Sequence, residues 1–392
     1  MDKNKVKKYV NISGFHIESN NRGNAALSYG TVSFLKKIGE LQSGQEFVKF
    51  RFFKNPFKRC NRHVTTASVI IDEEKWIYHV VPVFEPTKYI LLKFNVLVPF
   101  SKLKFYIRNT AYEAADYGGD GFSDIYGDKI LYHRFRQTFL LWKRNIPLII
   151  LPQTIGPFEK KENYALAIKI LKYASRVYVR DSRFNAELEK EGIEFQQEKD
   201  LSAYMLPKPW DVEIKNNPVG LNVSGLAYSN RFPNLEGQFD AYPDLIMKLI
   251  ELFRNKGCSV YLIPHSYNYS HPETNNDDLV ACREVYSSLR DKSNVVLIDR
   301  DMISPEVKYL ISKMKFFVGT RMHANFAAIF TNTPVFGLSY SYKFQGAFEA
   351  NGLYNQTATI NYLKVSEIDT IIDKVNTVYK QYVNTTKNGK DE

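Results

Sequence analysis

Short apolar runs alternate with helix-like periodic segments along most of the chain. Strand-like runs such as Tyr9–Phe15, Pro147–Leu151 and Arg176–Arg180 are each followed by a segment whose apolar residues recur with helical spacing. The alternation resumes at Val219 and ends in a predicted terminal helix over Val365–Val383. This pattern predicts parallel sheets covered by helices. We therefore expect an α/β protein with two doubly wound, Rossmann-like domains facing a cleft, because ligands bind at the carboxyl ends of such strands.

The domain boundary is predicted where this periodicity is lost. Residues 205–217, MLPKPWDVEIKNN, contain two prolines and no regular apolar spacing, as expected of a linker. We accordingly predict an N-terminal domain over residues 1–205 and a C-terminal domain over residues 206–392. Residues from about 45 to 105 are irregular with β-rich patches, and they are predicted to form an insert in the first domain.

Composition narrows the class of protein. The 392 residues are 44% hydrophobic and 24% charged, which excludes a disordered or collagen-like chain. Cys60, Cys258 and Cys282 are too few and too widely spaced for a disulfide framework, so we expect reduced thiols. No apolar run reaches the length of a membrane span, and the first residues lack the apolar core of a signal peptide. A cytoplasmic protein is expected.

Charge is distributed unevenly. Residues 1–110 contain 19 Lys and Arg against 8 Asp and Glu, so they hold the whole net charge of +11. The densest part, Lys49–Arg62, has six basic residues among fourteen and is interleaved with Phe50, Phe52, Phe53 and Phe57. Such a stretch suits an anionic membrane surface, single-stranded nucleic acid or a basic loop on a core strand. We expect contact with an anionic membrane and no nucleic-acid partner.

The strongest candidate chemistry lies between Phe316 and Tyr340. A short apolar strand ends at Gly319-Thr320, and a helix is predicted to begin near Arg321, with His323 two residues later. The first turn of a helix favours anions, and an arginine offers a planar fork for phosphate or carboxylate. Histidine is the natural acid or base near neutral pH. The segment predicts an anion-binding catalytic site, the alternative being a surface arginine and a packed histidine.

Three further segments carry candidate residues of weaker signal. Arg180 follows a predicted strand, and Asp181 or Ser182 is placed to cap the next helix. The Gly-rich loop over residues 115–129 contains three aspartates without the spacing of a calcium loop. The histidines of IPHSYNYSHPETNNDD match no zinc pattern, so a cleft-lining loop with an acidic helix start is preferred. We expect no metal site.

Several segments together resemble the polysaccharide pyruvyl transferase family, in that family's order and over roughly residues 8–375. They read NNRGNAAL, GGDGFSDIYG, LPQTIGPF, VYVRDSRF, KDLSAY, IPHSYNY followed by DD, and GTRMHANFAAIFTNTPVFGLSYSYK. The last segment is the most specific of them. The family's early turn commonly reads N-x-G-D, whereas Asn24 occupies the Asp position here.

The resemblance implies a GT-B-like enzyme with an acceptor-side first domain and a donor-binding second domain. Such an enzyme transfers a pyruvyl group from phosphoenolpyruvate onto two hydroxyls of a sugar and needs no other cofactor. By the match, His323 would be the general acid, with Asp120, Asp124 and His265 as weaker catalytic candidates. Donor contacts would come from Arg321, Met322, Arg180 and Lys343. Acceptor-side residues would be Asn21, Asn24, Gly119 and Gln153.

Two other functions remain open at this stage. A GT-B glycosyltransferase would bind a nucleotide sugar, and many such enzymes carry two glutamates along the helix that holds the donor. Here no glutamate follows Gly319 until Glu349, and the Arg-x-His pair favours an acidic donor. A non-catalytic carbohydrate- or lipid-binding relative would not need Arg321, His323 and Arg180 together. The expected acceptor is a polyprenyl-linked glycan, met at the inner face of a bacterial plasma membrane.

Overall fold

The protein forms two compact units in a computed structural model. The model describes residues 8–42, 44–55, 57–58, 63–85, 101–340 and 343–388, without the side chains of residues 101, 343, 345 and 383–388. One unit comprises residues 1–17 and 27–205, and the other comprises residues 18–26 and 206–392. The change of unit at residue 205 coincides with the linker proposed from the sequence.

The first unit is built on an eight-stranded sheet in the order β3-β4-β2-β1-β5-β6-β7-β8. All neighbouring strands are parallel except β3 and β4, which pair antiparallel. The strands are β1 Tyr9–Ser13, β2 Glu46–Phe53, β3 Thr65–Ile71, β4 Glu74–Phe84, β5 Thr110–Ala115, β6 Leu148–Gln153, β7 Arg176–Val179 and β8 Gln196–Gln197.

Helices on this sheet fall between successive strands. They are Arg22–Lys37, Ser101–Arg108, Asp128–Arg134, Arg136–Trp142, Lys161–Tyr173 and Asn185–Lys190, with a 3-10 turn at Leu201–Ala203. Strands β1, β5 and β6 are buried throughout or nearly so, as expected of parallel strands covered on both faces. Their apolar side chains pack with those of the helices, for example Phe135 and Ile150.

The second unit contains a six-stranded, wholly parallel sheet in the order β11-β10-β9-β12-β13-β14. The strands are β9 Pro218–Asn222, β10 Ser259–Leu262, β11 Val295–Leu297, β12 Phe316–Gly319, β13 Val335–Ser339 and β14 Thr357–Thr359. The helices are Gly225–Ser229, Tyr242–Asn255, Asp278–Ser288, Ser304–Ser312, Met322–Ile329, Lys343–Glu349 and Ile368–Asn388, with a 3-10 turn at Val365–Glu367. The strand order reverses direction between β9 and β12, the type of position where doubly wound sheets bind ligands.

Residues 18–26 belong to the second unit although they precede most of the first. The Arg22 N–H donates to the carbonyl of His265 at 3.0 Å, and Asn21 bridges to Ser266. The Arg22 guanidinium is buried over the ring of Tyr267, with its carbon 4.4 Å from the ring centre. It also donates to the Met302 carbonyl and to Asp301. These bonds tie the start of helix Arg22–Lys37 to the second unit.

The basic segment Lys49–Arg62 is only partly as expected. Phe50 is 2% exposed in the core of the first unit and Phe52 and Phe53 are half-buried, because these residues lie on strand β2 within the sheet. Phe57 is 80% exposed. A membrane surface formed by this stretch could therefore use Phe57 but not Phe50. Residues 56 and 59–62 lie outside the described part of the chain.

The topology confirms the prediction of two Rossmann-like, doubly wound α/β domains. The amphipathic apolar spacing of Asp128–Lys143 predicts one helix, but the structure has two helices there that meet at Phe135. Among the described residues, no helix combines the length and apolar character of a membrane span.

Candidate functional site

Arg321 is the charged centre of the second unit. It is the N-cap of helix Met322–Ile329, which begins three residues after strand β12 ends. Its guanidinium donates from Nε and Nη2 to Asp278 Oδ1 at 3.1 and 2.7 Å, and from Nη2 to Asn276 Oδ1 at 2.7 Å. Burial disfavours the charge, but Asp278 and Tyr340 outweigh it and raise the pKa of Arg321. The guanidinium is therefore permanently charged and fixed in direction.

Asp278 organises the loops around this arginine. It is fully buried, and its second oxygen accepts from the backbone N–H groups of His265 and Ser266 at 3.1 and 2.9 Å. The Asn222 side chain at the end of strand β9 accepts from the Arg321 N–H at 2.8 Å. Three strand ends, those of β9, β10 and β12, are thereby held at one buried carboxylate.

His323 and His265 lie together beside Arg321. The buried His265 is close enough to be affected by His323, and its Nδ1 has no hydrogen-bond partner among the described residues. Burial, followed by His323, Arg321 and Arg22, lowers the pKa of His265 well below its ordinary value. His265 is therefore neutral near pH 7.

Gly23 sets the space available to the His323 ring. A Cβ atom at Gly23 would lie 2.6 Å from His323 Nδ1 and 2.8 Å from its Cγ, closer than real contacts allow. The His323 ring also contacts Phe326, with the two ring centres 5.7 Å apart and the rings nearly perpendicular. The imidazole is thus confined by residues of the second unit, including the early segment 18–26.

Four other candidate residues belong to the second unit, namely Met322, Asn21, Asn24 and Lys343. Met322 is the first residue of the helix that follows Arg321, and the dipole of a helix favours an anion at this end. Asn21 accepts from the Gly23 N–H at 2.9 Å, and Asn24 lies within the same helix turn. Both asparagines therefore group with the second unit rather than with the first. The side chain of Lys343 lies outside the described part of the structure.

A second charged cluster lies in the first unit, at the ends of strands β5, β6 and β7. Arg180 donates from Nη1 to Asp200 at 2.5 Å and from Nε to Thr154 Oγ1 at 3.0 Å. Burial opposes its charge, but Asp200, Asp120 and Asp181 outweigh it and raise the pKa of Arg180. One cation here faces several carboxylates.

The Gly-rich loop over residues 115–129 wraps this arginine. A Cβ atom at Gly119 would lie 2.9 Å from Arg180 Nη1, so the missing side chain makes room for the guanidinium. Asp116 accepts from the N–H groups of Gly118 and Gly119, while burial raises its pKa to about 6. Asp120 accepts from the Tyr126 hydroxyl at 2.9 Å.

Two sequence-predicted residues of the first unit hold the fold together. Asp124 accepts from the N–H groups of Glu159 and Lys160 and from the Asn163 side chain, so its carboxylate fixes the start of helix Lys161–Tyr173. Gln153 is fully buried, and its side chain bonds to backbone groups of residues 115, 117 and 151, while its backbone carbonyl accepts from the Arg180 N–H at 3.3 Å. Among the described residues, neither the Asp124 nor the Gln153 side chain forms a hydrogen bond with the Arg180 side chain.

The structure also reveals residues that sequence reasoning did not assign. Asp278, Asp200, Arg22 and Gly23 each hold a predicted residue or its loop in place. Asp200 was visible in the KDLSAY segment, but nothing in the sequence pairs it with Arg180. Among the described residues, no group of three or more His, Cys, Asp or Glu side chains is arranged to hold a metal ion.

Residues 21–342 match the family model described as polysaccharide pyruvyl transferase. The chain belongs to the polysaccharide pyruvyl transferase family. It is therefore a transferase, and both charged clusters lie within the matched residues. A curated relative, the amylovoran biosynthesis protein AmsJ of Erwinia amylovora, is 22% identical over 305 residues, which cover 74% of this chain and 70% of AmsJ.

Solved structures with a related fold cover nearly the whole of this chain. A UDP-GlcNAc 2-epimerase from Methanocaldococcus jannaschii has a TM-score of 0.49 at 10% identity, covering 93% of this chain and 92% of its own. The ADP-heptose lipopolysaccharide heptosyltransferase II of E. coli has a TM-score of 0.42 at 12% identity, covering 95% of this chain and 99% of its own.

Proposed function

We propose that this family member transfers a pyruvyl group from phosphoenolpyruvate onto two hydroxyls of a sugar, forming a cyclic ketal and releasing phosphate. The observation that carries the proposal is the group formed by Arg321, His323 and the start of helix Met322–Ile329 in the second unit. Phosphoenolpyruvate has a carboxylate and a phosphate, and both are favoured by a charged guanidinium and by helix N–H groups.

His323 has the role of general acid. It donates a proton to the methylene carbon of phosphoenolpyruvate, which leaves positive character on the carbon that bears the phosphate. The first sugar hydroxyl adds there and loses its proton to a base. The carbon–oxygen bond to phosphate then breaks, inorganic phosphate leaves, and the second hydroxyl closes the ketal as it loses its proton. In the net reaction, one of the two hydroxyl protons ends on the new methyl group and the other leaves with phosphate.

His265 and Asp120 are the candidates for accepting the hydroxyl protons. The Nδ1 atom of the neutral His265 imidazole has no hydrogen-bond partner among the described residues, although its lowered pKa makes His265 a weak base. Asp120 is a carboxylate that is only half-buried. The bonds of Asp124 to the start of helix Lys161–Tyr173 make it the least suitable of the three.

The test is phosphate release from phosphoenolpyruvate with lipid-linked galactosyl, mannosyl and glucosyl acceptors, read by mass. The expected product is heavier than its acceptor by pyruvic acid minus one water, and His323→Ala is the matched inactive control. Tight binding of a nucleotide sugar, together with no binding of phosphoenolpyruvate, would contradict the proposal and favour a glycosyltransferase.

We also propose that the enzyme works in the cytoplasm, on capsule or exopolysaccharide precursors, at an anionic membrane carrying a polyprenyl-linked acceptor. The confinement of the net charge of +11 to residues 1–110 and the 80% exposed Phe57 support this. Each basic residue near anionic lipid contributes about 1 kcal/mol, and salt screens it. Co-sedimentation with anionic vesicles should therefore weaken at high salt and when Lys54 and Lys58 become Ser. Wild-type protein that ignores such vesicles at low salt would refute the membrane part alone.

A further inference from the structure

We propose that the second unit contains a binding subsite for neutral sugar residues at the edge of its sheet. A cavity of about 880 Å³ lies at the ends of strands β13 and β14, and its walls include Ser339, Tyr340, Tyr354 and Thr359. This volume is in the range of small-molecule sites. The carboxyl ends of parallel strands are also the part of a doubly wound sheet where ligands bind.

The chemistry of the walls favours a polar ligand without net charge. Hydroxyl and amide side chains, from Thr357, Thr359, Asn355 and Asn361 among others, alternate with aromatic and aliphatic ones. One acidic and one basic side chain, Glu349 and Lys374, complete the described lining. A nucleotide would place two or more phosphate charges beside a single lysine. A sugar residue instead offers many hydroxyls to the polar groups and an apolar face to the rings.

Backbone strain and ring exposure are concentrated at the same place. Asn355 and Tyr362, which flank strand β14, both have left-handed backbone angles, with φ of 61° and 55°. Asparagine tolerates this conformation, but for a bulky residue such as tyrosine it is unfavourable. The Tyr362 N–H donates to the Gln238 carbonyl at 2.7 Å, which holds the strained turn. Tyr354, which lines the cavity, leaves 66% of its surface exposed to solvent.

Tyr340 connects this cavity to the charged centre of the second unit. It lines the cavity, and it also lies close enough to Arg321 to help raise the pKa of the guanidinium. A sugar held at the sheet edge is therefore next to the residues to which we assign the donor. The inference rests on the proposed function, because the bound sugar would be part of the glycan acceptor. It places acceptor contacts in the second unit, where the sequence suggested only donor contacts.

The experiment is saturation-transfer NMR on the full chain without phosphoenolpyruvate. The probes are methyl glycosides and di- to tetrasaccharides of galactose, glucose and mannose. At least one probe should receive saturation from the protein, and Tyr354→Ala should weaken its binding roughly tenfold through the loss of ring contact. Thr359→Val should weaken binding less. Tyr309→Ala, which alters a half-buried tyrosine of the same unit outside the cavity lining, should leave binding unchanged.

Three results would overturn the subsite. They are a panel without any binding sugar, equal binding by Tyr354→Ala and wild type, and displacement of the sugar by UMP at equal concentration, which indicates a nucleotide pocket. Phosphate release from phosphoenolpyruvate is measured on the same preparations. Sugar binding without such turnover would refute the proposed reaction and leave the subsite standing, whereas turnover without Tyr354-dependent binding would do the reverse.

Discussion

The two units differ in how many carboxylates surround the buried arginine at their strand ends. In the second unit, Arg321 is paired with one buried carboxylate, Asp278, and a helix begins at the same residue. In the first unit, Arg180 faces Asp200, Asp181 and Asp120. The arrangement in the second unit combines one guanidinium with the positive end of a helix, which suits an anion. The first has surplus acceptors, which suit the hydroxyls of a sugar better than a phosphate.

The largest effect should come from His323. His323→Ala should lower turnover by about 10²–10⁴, the usual range for loss of a general acid. The affinity for phosphoenolpyruvate should fall less, because Arg321 and the helix start remain. Steady-state phosphate release and donor binding by calorimetry separate the two effects. Normal turnover by this variant would show that His323 is not the general acid.

Removing Asp278 tests the charge pairing. Asp278→Ala leaves the buried Arg321 guanidinium without its carboxylate, so unfolding should become easier by about 3–5 kcal/mol. Urea unfolding measures the change. The control is Asp301→Ala, because Asp301 also pairs with a buried arginine, Arg22, but is itself largely exposed and should matter much less. If both variants lose the same free energy of unfolding, burial of the carboxylate does not determine how much an Arg–Asp pair stabilises the protein.

The first unit also buries a carboxylate that no cation pairs with in the described part of the chain. Glu113 accepts from Ser13 Oγ at 2.5 Å and from Thr138 Oγ1 at 2.9 Å, and burial raises its pKa to about 7. The folded protein therefore binds this proton more tightly than the unfolded chain does, and stability falls as pH rises from about 4.5 to about 7. In Glu113→Gln, the loss of stability over this pH range should be smaller by about 3 kcal/mol.

Urea unfolding at pH 5 and pH 8 measures that difference for Glu113→Gln against wild type. Glu74→Gln, on an exposed position of strand β4, is the control and should leave the pH dependence unchanged. A wild-type protein whose stability does not fall between these two pH values would contradict the assignment of a buried proton to Glu113.

Lysine substitutions compare the two arginines directly. Arg321→Lys should raise the KM for phosphoenolpyruvate roughly tenfold, because an ammonium cannot reproduce the planar fork. Arg180→Lys should raise it less, given the surplus of carboxylates around Arg180. An equal rise in both would favour the original prediction that both arginines hold the donor, and a larger rise for Arg180→Lys would reverse the comparison.

The smallest predicted effect concerns Gly23. Alanine is normally preferred to glycine in a helix by roughly 0.5–1 kcal/mol, so Gly23→Ala should not destabilise the helix itself. Its Cβ should instead displace the His323 ring, lowering turnover several-fold and shifting the His323 signal in NMR of ¹³C-histidine-labelled protein.

Gly30→Ala is the matched control for Gly23→Ala in the same helix. Its Cβ would lie 1.8 Å from the Leu201 carbonyl oxygen, so it should reduce stability. The His323 signal should stay in place. An unchanged His323 signal in Gly23→Ala would show that the ring is positioned by other contacts.

Sequence pattern predicted the regular elements well because buried parallel strands are short apolar runs. Strand β12 and the helix after Arg321 lie within one residue of their expected bounds. The helix expected over residues 128–143 divides at Phe135, which no local pattern indicates. Phe50 falls in the basic stretch Lys49–Arg62, but its strand lies inside the sheet and buries its ring.

Long-range pairing explains most of what the sequence did not reveal about the site. Arg321 and His323 could be identified because a strand, a turn and a helix start lie within a few residues. Asp278 lies 43 residues from its partner, and Asp301 lies 279 residues from Arg22. Such pairs depend on how the strands are ordered in space. The walls of the sheet-edge cavity likewise come from separate segments between Ser339 and Lys374.

The early segment 18–26 limits when the second unit can finish folding during synthesis. Its partners Tyr267, Asp301 and Ser304 leave the ribosome some 240–280 residues later, so Arg22 spends much of synthesis without them. A gene fragment that starts at residue 206 would encode all six strands of the second sheet and still lack a piece of the surface on which His323 rests. The boundary at residue 205 therefore divides the chain in sequence without yielding two independent building blocks for recombination.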